Sequence, residues 1–361
     1  MSHEYTIPKT QTAAIIQKVG GSLEIVKDHP VKQPEDLAPG ECLVKLECSG
    51  CCHTDLHAAL NDWPLTPKTP LIGGHEGVGI IVAIGEHTSG SPVKVGDRVG
   101  IKWLANSCLN CEPCRQGREQ NCEEAQLSGF TVDGTFQEYA VSYVRHVTPI
   151  PKNISSQEAA SALCAGMTVY RAIKYSETTQ GNWLVVPGAG GGLGHLAVQY
   201  ARARGLRVIA VDTGAEKKKL CMDTLKANAW IDFKETKDLV GDIKKLTDGM
   251  GAHATLVTAG TGAAYAQAID YLRTGGKLMA VGLPGKATLD ASIFFTVFKS
   301  ISIIGSYVGN RQDAIEALEL CANDIVKVYF VSKPLKELPS VYEGLKKGEV
   351  TGRVVLDMES K

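Results

Sequence analysis

A chain of 361 residues exceeds one comfortable core and predicts two domains of the usual size, roughly 100 to 200 residues each. With 38 Lys+Arg against 39 Asp+Glu, the net charge of -1 leaves no surplus of positive charge to grip a phosphate backbone or an anionic bilayer, so neither nucleic acid nor a membrane is an expected partner. Hydrophobic residues at 44% and charged residues at 21% are ordinary for a globular chain, whereas 38 glycines exceed the roughly 7% norm and forecast many tight turns.

In chain order, residues 1–11 are polar and carry Pro8, without the apolar core of a secretory signal or the Arg-rich character of a transit peptide. No run reaches the roughly 18 apolar residues of a membrane span. Eleven cysteines in such a chain read as reduced thiols and metal ligands, which makes the cytoplasm the expected address. Residues 13–19, 41–48, 78–84, 93–101 and 136–144 read as short strands divided by Gly, Pro and Asp. Helical signals are few there, chiefly 54–60 and the stretch opened by a capping box at Ser155 and Glu158. From about residue 180 strands and helices alternate: strands at 183–186, 207–211, 230–232, 254–258, 277–281 and 301–304, with helical patterns at 193–204, 216–226, 237–247 and 263–272. That rhythm predicts a doubly wound parallel sheet. Two more helices, 311–322 and 337–347, lead to a strand at 352–357 that is expected to rejoin the first domain.

Three groups of residues carry chemistry. Cys108, Cys111, Cys114 and Cys122 are spaced C-x2-C-x2-C-x7-C in a loop able to bend round an ion, and four thiolates fill a tetrahedral zinc site and leave no place for substrate. A structural zinc is favoured over unligated surface thiols or an iron–sulfur cluster, whose short fourth spacing and following proline are absent. In the second domain Gly188, Ala189, Gly191, Gly192, Leu193 and Gly194 lie between a strand and an apolar helix, where backbone N–H groups and the helix dipole meet a pyrophosphate. The run departs from strict G-x-G-x-x-G, since Ala189 stands at the first glycine. Asp212, closing the next strand, is placed to accept hydrogen bonds from an adenosine ribose, and Thr213-Gly214-Ala215 supplies no arginine for a 2′-phosphate, which favours NAD over NADP. The alternative is a glycine-rich turn with a surface Asp.

The third group is Cys51-Cys52-His53-Thr54-Asp55-Leu56-His57, followed at 73–77 by Gly-Gly-His-Glu-Gly. Both segments mix metal ligands with proton carriers. Taken alone, Cys51 is as well a core thiol, His57 a solvated helix residue and His75 a turn histidine, and spacing does not choose a third ligand among distant cysteines.

These segments, with Leu-Cys-Ala-Gly-Met-Thr-Val-Tyr at 163–170, Gly-Gly-Leu-Gly at 191–194 and Ser-Tyr-Val-Gly-Asn-Arg at 306–311, resemble the zinc-dependent medium-chain alcohol dehydrogenases along the whole chain, most closely the tetrameric fungal ethanol-type enzymes. The resemblance implies a Rossmann domain at 165–305 and an irregular, β-rich GroES-like catalytic domain at 1–164 and 306–361. It implies two zinc ions per subunit, a catalytic one on Cys52, His75 and Cys164 and a structural one on the four-cysteine loop. Thr54 and His57 would form a proton relay, Glu76 would approach the metal during exchange, and Asp55 would orient the ligand histidine. His53, Lys217, Val281 and Arg353 would join the glycine turn and Asp212 in holding NAD, while Trp63, Trp103 and Leu283 would line the substrate pocket. Leu283 stands where relatives often carry methionine, and Cys51 is an extra thiol beside Cys52. The implied function is interconversion of small primary alcohols, such as ethanol, with their aldehydes by a cytoplasmic homotetramer. A polyol or aryl-alcohol dehydrogenase of the same fold, or a noncatalytic NAD(H)-binding relative, is the alternative.

Overall fold

The computed structural model describes residues 5–285 and 287–358. Two compact units are formed, Met1–Cys164 with Gly309–Asn323 and Phe330–Lys361, and Ala165–Val308 with Asp324–Tyr329. The excursion Asp324–Tyr329 has no counterpart in the division expected from the sequence. It is tied to the helix Gly194–Ala203 through Gln199, whose side chain both donates to Lys327 O and accepts from Lys327 N at 2.8 Å.

The first unit is built on the strand Glu41–Cys51, which pairs antiparallel with Gly77–Ile84, Tyr139–Tyr143 and Arg353–Asp357. Arg98–Ile101 and Thr148–Pro149 extend this sheet on one side, and Phe330–Pro334 lies parallel to Arg353–Asp357 on the other. Leu23–Pro30, Thr10–Ile16 and Leu71–Ile72 form a smaller sheet. Val44, Leu46, Ile81, Val99, Phe136, Leu338, Val354 and Leu356 pack into one core. Two expected strands are shorter than their apolar runs. The run at 93–101 is interrupted by a turn in which Lys94 N and Asp97 Oδ2 are 2.9 Å apart, so the strand starts at Arg98. The run at 13–19 stops at Ile16, where the chain turns through Gly20 and Gly21.

The second unit holds, among its described residues, six parallel strands in the spatial order Ala229–Asp232, Arg207–Asp212, Trp183–Pro187, Ala252–Val257, Leu272–Ala280, Ser302–Gly305. Leu184, Val185, Val186, Val208, Ile209 and Ala210 are fully buried, which is why these strands read as unbroken apolar runs: helices cover both faces. The order of succession reverses between Trp183–Pro187 and Ala252–Val257, and open sheets of this kind bind ligands at that reversal, beyond the strand C-termini. The expected helix at 216–226 is divided into Ala215–Lys219 and a wider π-type turn, Leu220–Thr224. A short helix that the sequence pattern does not announce, Ile293–Phe298, precedes the edge strand and is largely exposed.

Candidate active site

The helix His53–Leu60 starts directly after the strand Glu41–Cys51, with Cys52 as its N-cap residue. Asp55, in the first turn, accepts the Cys52 N–H through Oδ2 at 2.8 Å and the Gly74 N–H through Oδ1 at 3.2 Å. The same Oδ1 lies 2.8 Å from His75 Nδ1. One buried carboxylate thus joins the helix start, the 73–77 turn and the imidazole. Since an ionised carboxylate only accepts, Nδ1 carries a proton, which leaves Nε2 as the nitrogen able to present a lone pair inward once the ring is neutral. His75 Nε2 is 3.3 Å from Cys164 Sγ, which sits on the π-type turn Ala162–Gly166. Cys52, His75, Glu76 and Cys164 each offer one donor atom, all within 4.8 Å of one another.

Electrostatics suit a cation here. The Cys52 thiol is held well below its ordinary range, first by a hydrogen bond from Cys164 and then, against burial, by His75. Cys164 is raised correspondingly by that shared hydrogen bond and by burial. Burial disfavours a charge on His75, but the Asp55 carboxylate and Cys52 overcome it and lift the ring well above its usual value. Protons are therefore competing for the donors that a divalent ion would take. Burial likewise pushes Glu76 up to about 7, against the pull of Arg353. Arg353, expected as a pyrophosphate contact, is buried with its guanidinium paired to Glu76. Glu76 Oε2 and Arg353 Nε have no hydrogen-bond partner among the described residues. The carboxylate has room only because residue 50 is glycine: a Cβ there would stand 2.0 Å from Oε2. The donor set fits zinc.

The four-cysteine loop makes a second cluster of donors within 4.8 Å. Amide hydrogens of Asn110 and Cys111 point at Cys108 Sγ, at 3.5 and 3.3 Å, and bring its thiol down to about 7. The lobe is clamped by the returning chain, where Asn310 Nδ2 donates to Gly117 O at 2.8 Å and Arg311 Nε to Glu119 Oε1 at 3.1 Å. These soft donors also fit zinc, in a closed structural site. Cys111→Ser is expected to lower the unfolding midpoint by about 5–10 °C, because little core holds this loop. Unchanged melting after loss of one zinc would remove its structural role.

In the second unit the glycine turn follows Trp183–Pro187 and opens the helix Gly194–Ala203. A Cβ at Gly194 would lie 2.0 Å from Gly188 O, so glycine is needed for the helix to sit on the turn. Asp212 Oδ2 accepts the Gly190 N–H at 2.9 Å, and Oδ1 meets Lys217 Nζ at 3.2 Å. The expected ribose ligand therefore also fastens the turn.

Residues 38–152 match the alcohol dehydrogenase GroES-like domain and residues 192–323 the zinc-binding dehydrogenase family. Alcohol dehydrogenase 1 of Emericella nidulans is 48% identical over 98% of this chain and 99% of its own. Alcohol dehydrogenase 1 of Neurospora crassa is 47% identical over 98% and 99%. Among solved structures, the alcohol dehydrogenase of the archaeon Aeropyrum pernix has a TM-score of 0.86 at 32% identity, covering 96% of this chain and 99% of that one. The chain belongs to the zinc-binding alcohol dehydrogenases, of the fungal type.

The other residues expected to serve this alcohol dehydrogenase are distributed as follows. Thr54 and His57, three apart, share one side of the helix His53–Leu60. His53, in the first turn, is exposed. His57 Nδ1 meets Asp62 Oδ1 at 2.7 Å and its ring stacks on Trp63, with centroids 5.0 Å apart. Trp63 and Trp103 pack edge to face at 6.5 Å, and Trp103 stands 5.2 Å from the His75 ring. Phe130 completes this aromatic wall, 5.6 Å from Trp103. Neither Phe130 nor Asp62 was among the residues expected from the sequence. Val281 is buried and Leu283 exposed at 56% in the second unit. Among the described residues no helix is long and apolar enough to cross a membrane.

Proposed function

We propose that this enzyme interconverts small primary alcohols, ethanol among them, with their aldehydes, using NAD and two zinc ions per subunit. The observation that carries the reading is the set Cys52, His75 and Cys164, half-buried at Cys52 and buried at the other two, beside the Trp63–Trp103–Phe130 wall, which favours a small, apolar substrate. Held by those three residues, zinc supplies Lewis acidity to an alcohol oxygen. Asp55 keeps His75 in the ligating tautomer. Thr54 and His57 carry the alcohol proton toward solvent, an imidazole being the side chain suited to exchange near neutral pH. The Asp212 carboxylate supports NAD over NADP because it repels a 2′-phosphate. Initial rates of NAD reduction over a series of primary and secondary alcohols, with zinc measured on the same sample, test the reading. One zinc per chain without alcohol-dependent NADH formation would reverse it.

His57→Gln is expected to slow oxidation most below about pH 8, where exchange with solvent needs a base, with partial rescue by added buffer. An unaltered pH profile would remove His57 from the relay.

The same reading includes a homotetramer in the cytoplasm. None of the eleven cysteines is joined in a disulfide, in keeping with a reducing compartment. Ile293, Phe294, Val297 and Phe298 are 82%, 67%, 72% and 73% exposed next to the edge strand Ser302–Gly305, a combination that favours self-association. Phe298→Glu is expected to reduce the mass seen in sedimentation, and an unchanged mass would exclude this face.

A further inference from the structure

We propose that Asp62 is a positioning residue for the relay: its carboxylate holds the His57 ring in the tautomer whose Nε2 is free to take up a proton. The inference rests on the assignment of His57 to the relay. On a continuous helix a residue five positions beyond His57 would project about 140° away from it. The helix stops instead at Asn61, whose left-handed backbone (φ 51, ψ 46) turns the chain back. Asp62 Oδ1 thereby reaches within 2.7 Å of His57 Nδ1, and the next residue, Trp63, lies against the ring face at 5.0 Å and 24°.

The imidazole is consequently fixed on its edge by a carboxylate and on its face by an indole. His53 from the same helix also brings its ring near, with centroids 6.5 Å apart. A neutral imidazole has one N–H and one lone pair, and an ionised carboxylate can only accept. Pairing Nδ1 with Asp62 therefore assigns the N–H to Nδ1 and the lone pair to Nε2. His57 and Asp62 side chains are 20% and 37% exposed, so the pair adds little to stability. Its consequence lies in which nitrogen is bare. A ring released from Asp62 would divide between two tautomers, one of which cannot accept a proton at Nε2.

The test compares wild type, Asp62→Ala, His57→Gln and the double variant. In the cofactor-free protein labelled with 15N-histidine, at alkaline pH, the His57 signals are those absent from His57→Gln. Wild type is expected to show the Nδ1–H form and Asp62→Ala a mixture. Asp62→Ala should lower kcat near pH 7 by about 3- to 30-fold, and should change kcat less than about twofold in the His57→Gln background, as for a residue acting through another. A wild-type tautomer in Asp62→Ala, or losses that multiply in the double variant, would overturn the inference. If His57→Gln turns over like wild type, the relay assignment falls and this inference with it. If His57→Gln is slow while Asp62→Ala matches wild type, the inference alone falls.

Discussion

Cys52→Ser is expected to lower kcat for alcohol oxidation by at least about 10³-fold, several kcal/mol of lost Lewis-acid assistance, while the protein remains folded. Serine is a favoured N-cap, and Cys52 is the N-cap of the helix His53–Leu60, so this substitution leaves the local fold its preferred start. The glycine turn belongs to the other compact unit, and NAD binding should be retained. His75→Ala should abolish turnover as well, but it strips the buried Asp55 of a partner at 2.8 Å and should also cost about 1–3 kcal/mol of stability. Zinc content, circular dichroism, cofactor binding and turnover on the same preparations decide the matter. Substantial turnover by a variant shown to lack the catalytic zinc would sink the ligand assignment.

Asp212→Gly is expected to invert or nearly erase the cofactor preference. Removing the carboxylate takes away ribose hydrogen bonds from NAD and a repulsion from NADP, each worth about 1–3 kcal/mol. Lys217 Nζ, now 3.2 Å from Asp212 Oδ1, would be released to meet a 2′-phosphate. The ratio of kcat/KM for the two cofactors should therefore move by at least about 30-fold. The same substitution leaves the Gly190 N–H without its acceptor, so some loss of stability accompanies the switch. A ratio within about twofold of wild type would dismiss Asp212 as the ribose ligand.

What could be read in advance follows from the range of the forces involved. The parallel sheet was legible because each strand is an apolar run between turn residues, and Trp183–Pro187 and Arg207–Asp212 lie within a residue of their expected limits. Leu23–Pro30 was not, since none of its residues is buried and its apolar residues do not stand out. At the site, Cys52, His75 and Cys164 were named through family resemblance; their spacing alone left the third ligand open. The Glu76–Arg353 pair joins residues 277 positions apart, and no local pattern records such a contact. Asp62 escaped notice because its meeting with His57 depends on the backbone at Asn61. Asparagine tolerates the left-handed region but does not demand it. Phe130 carries no local sequence signal of its place by Trp103, which the fold alone supplies.

That long-range pair sets an order of events during synthesis. The ribosome delivers the donors Cys52, His75 and Cys164 before any of the second unit, yet the strand Arg353–Asp357, which covers one edge of Glu41–Cys51, emerges after all of it. Until then the nascent sheet has an open edge, and Glu76 has no guanidinium to meet it. A translation product halted before residue 353 would therefore carry the candidate metal ligands Cys52, His75 and Cys164 with neither the Arg353–Asp357 strand nor the partner of Glu76 in place.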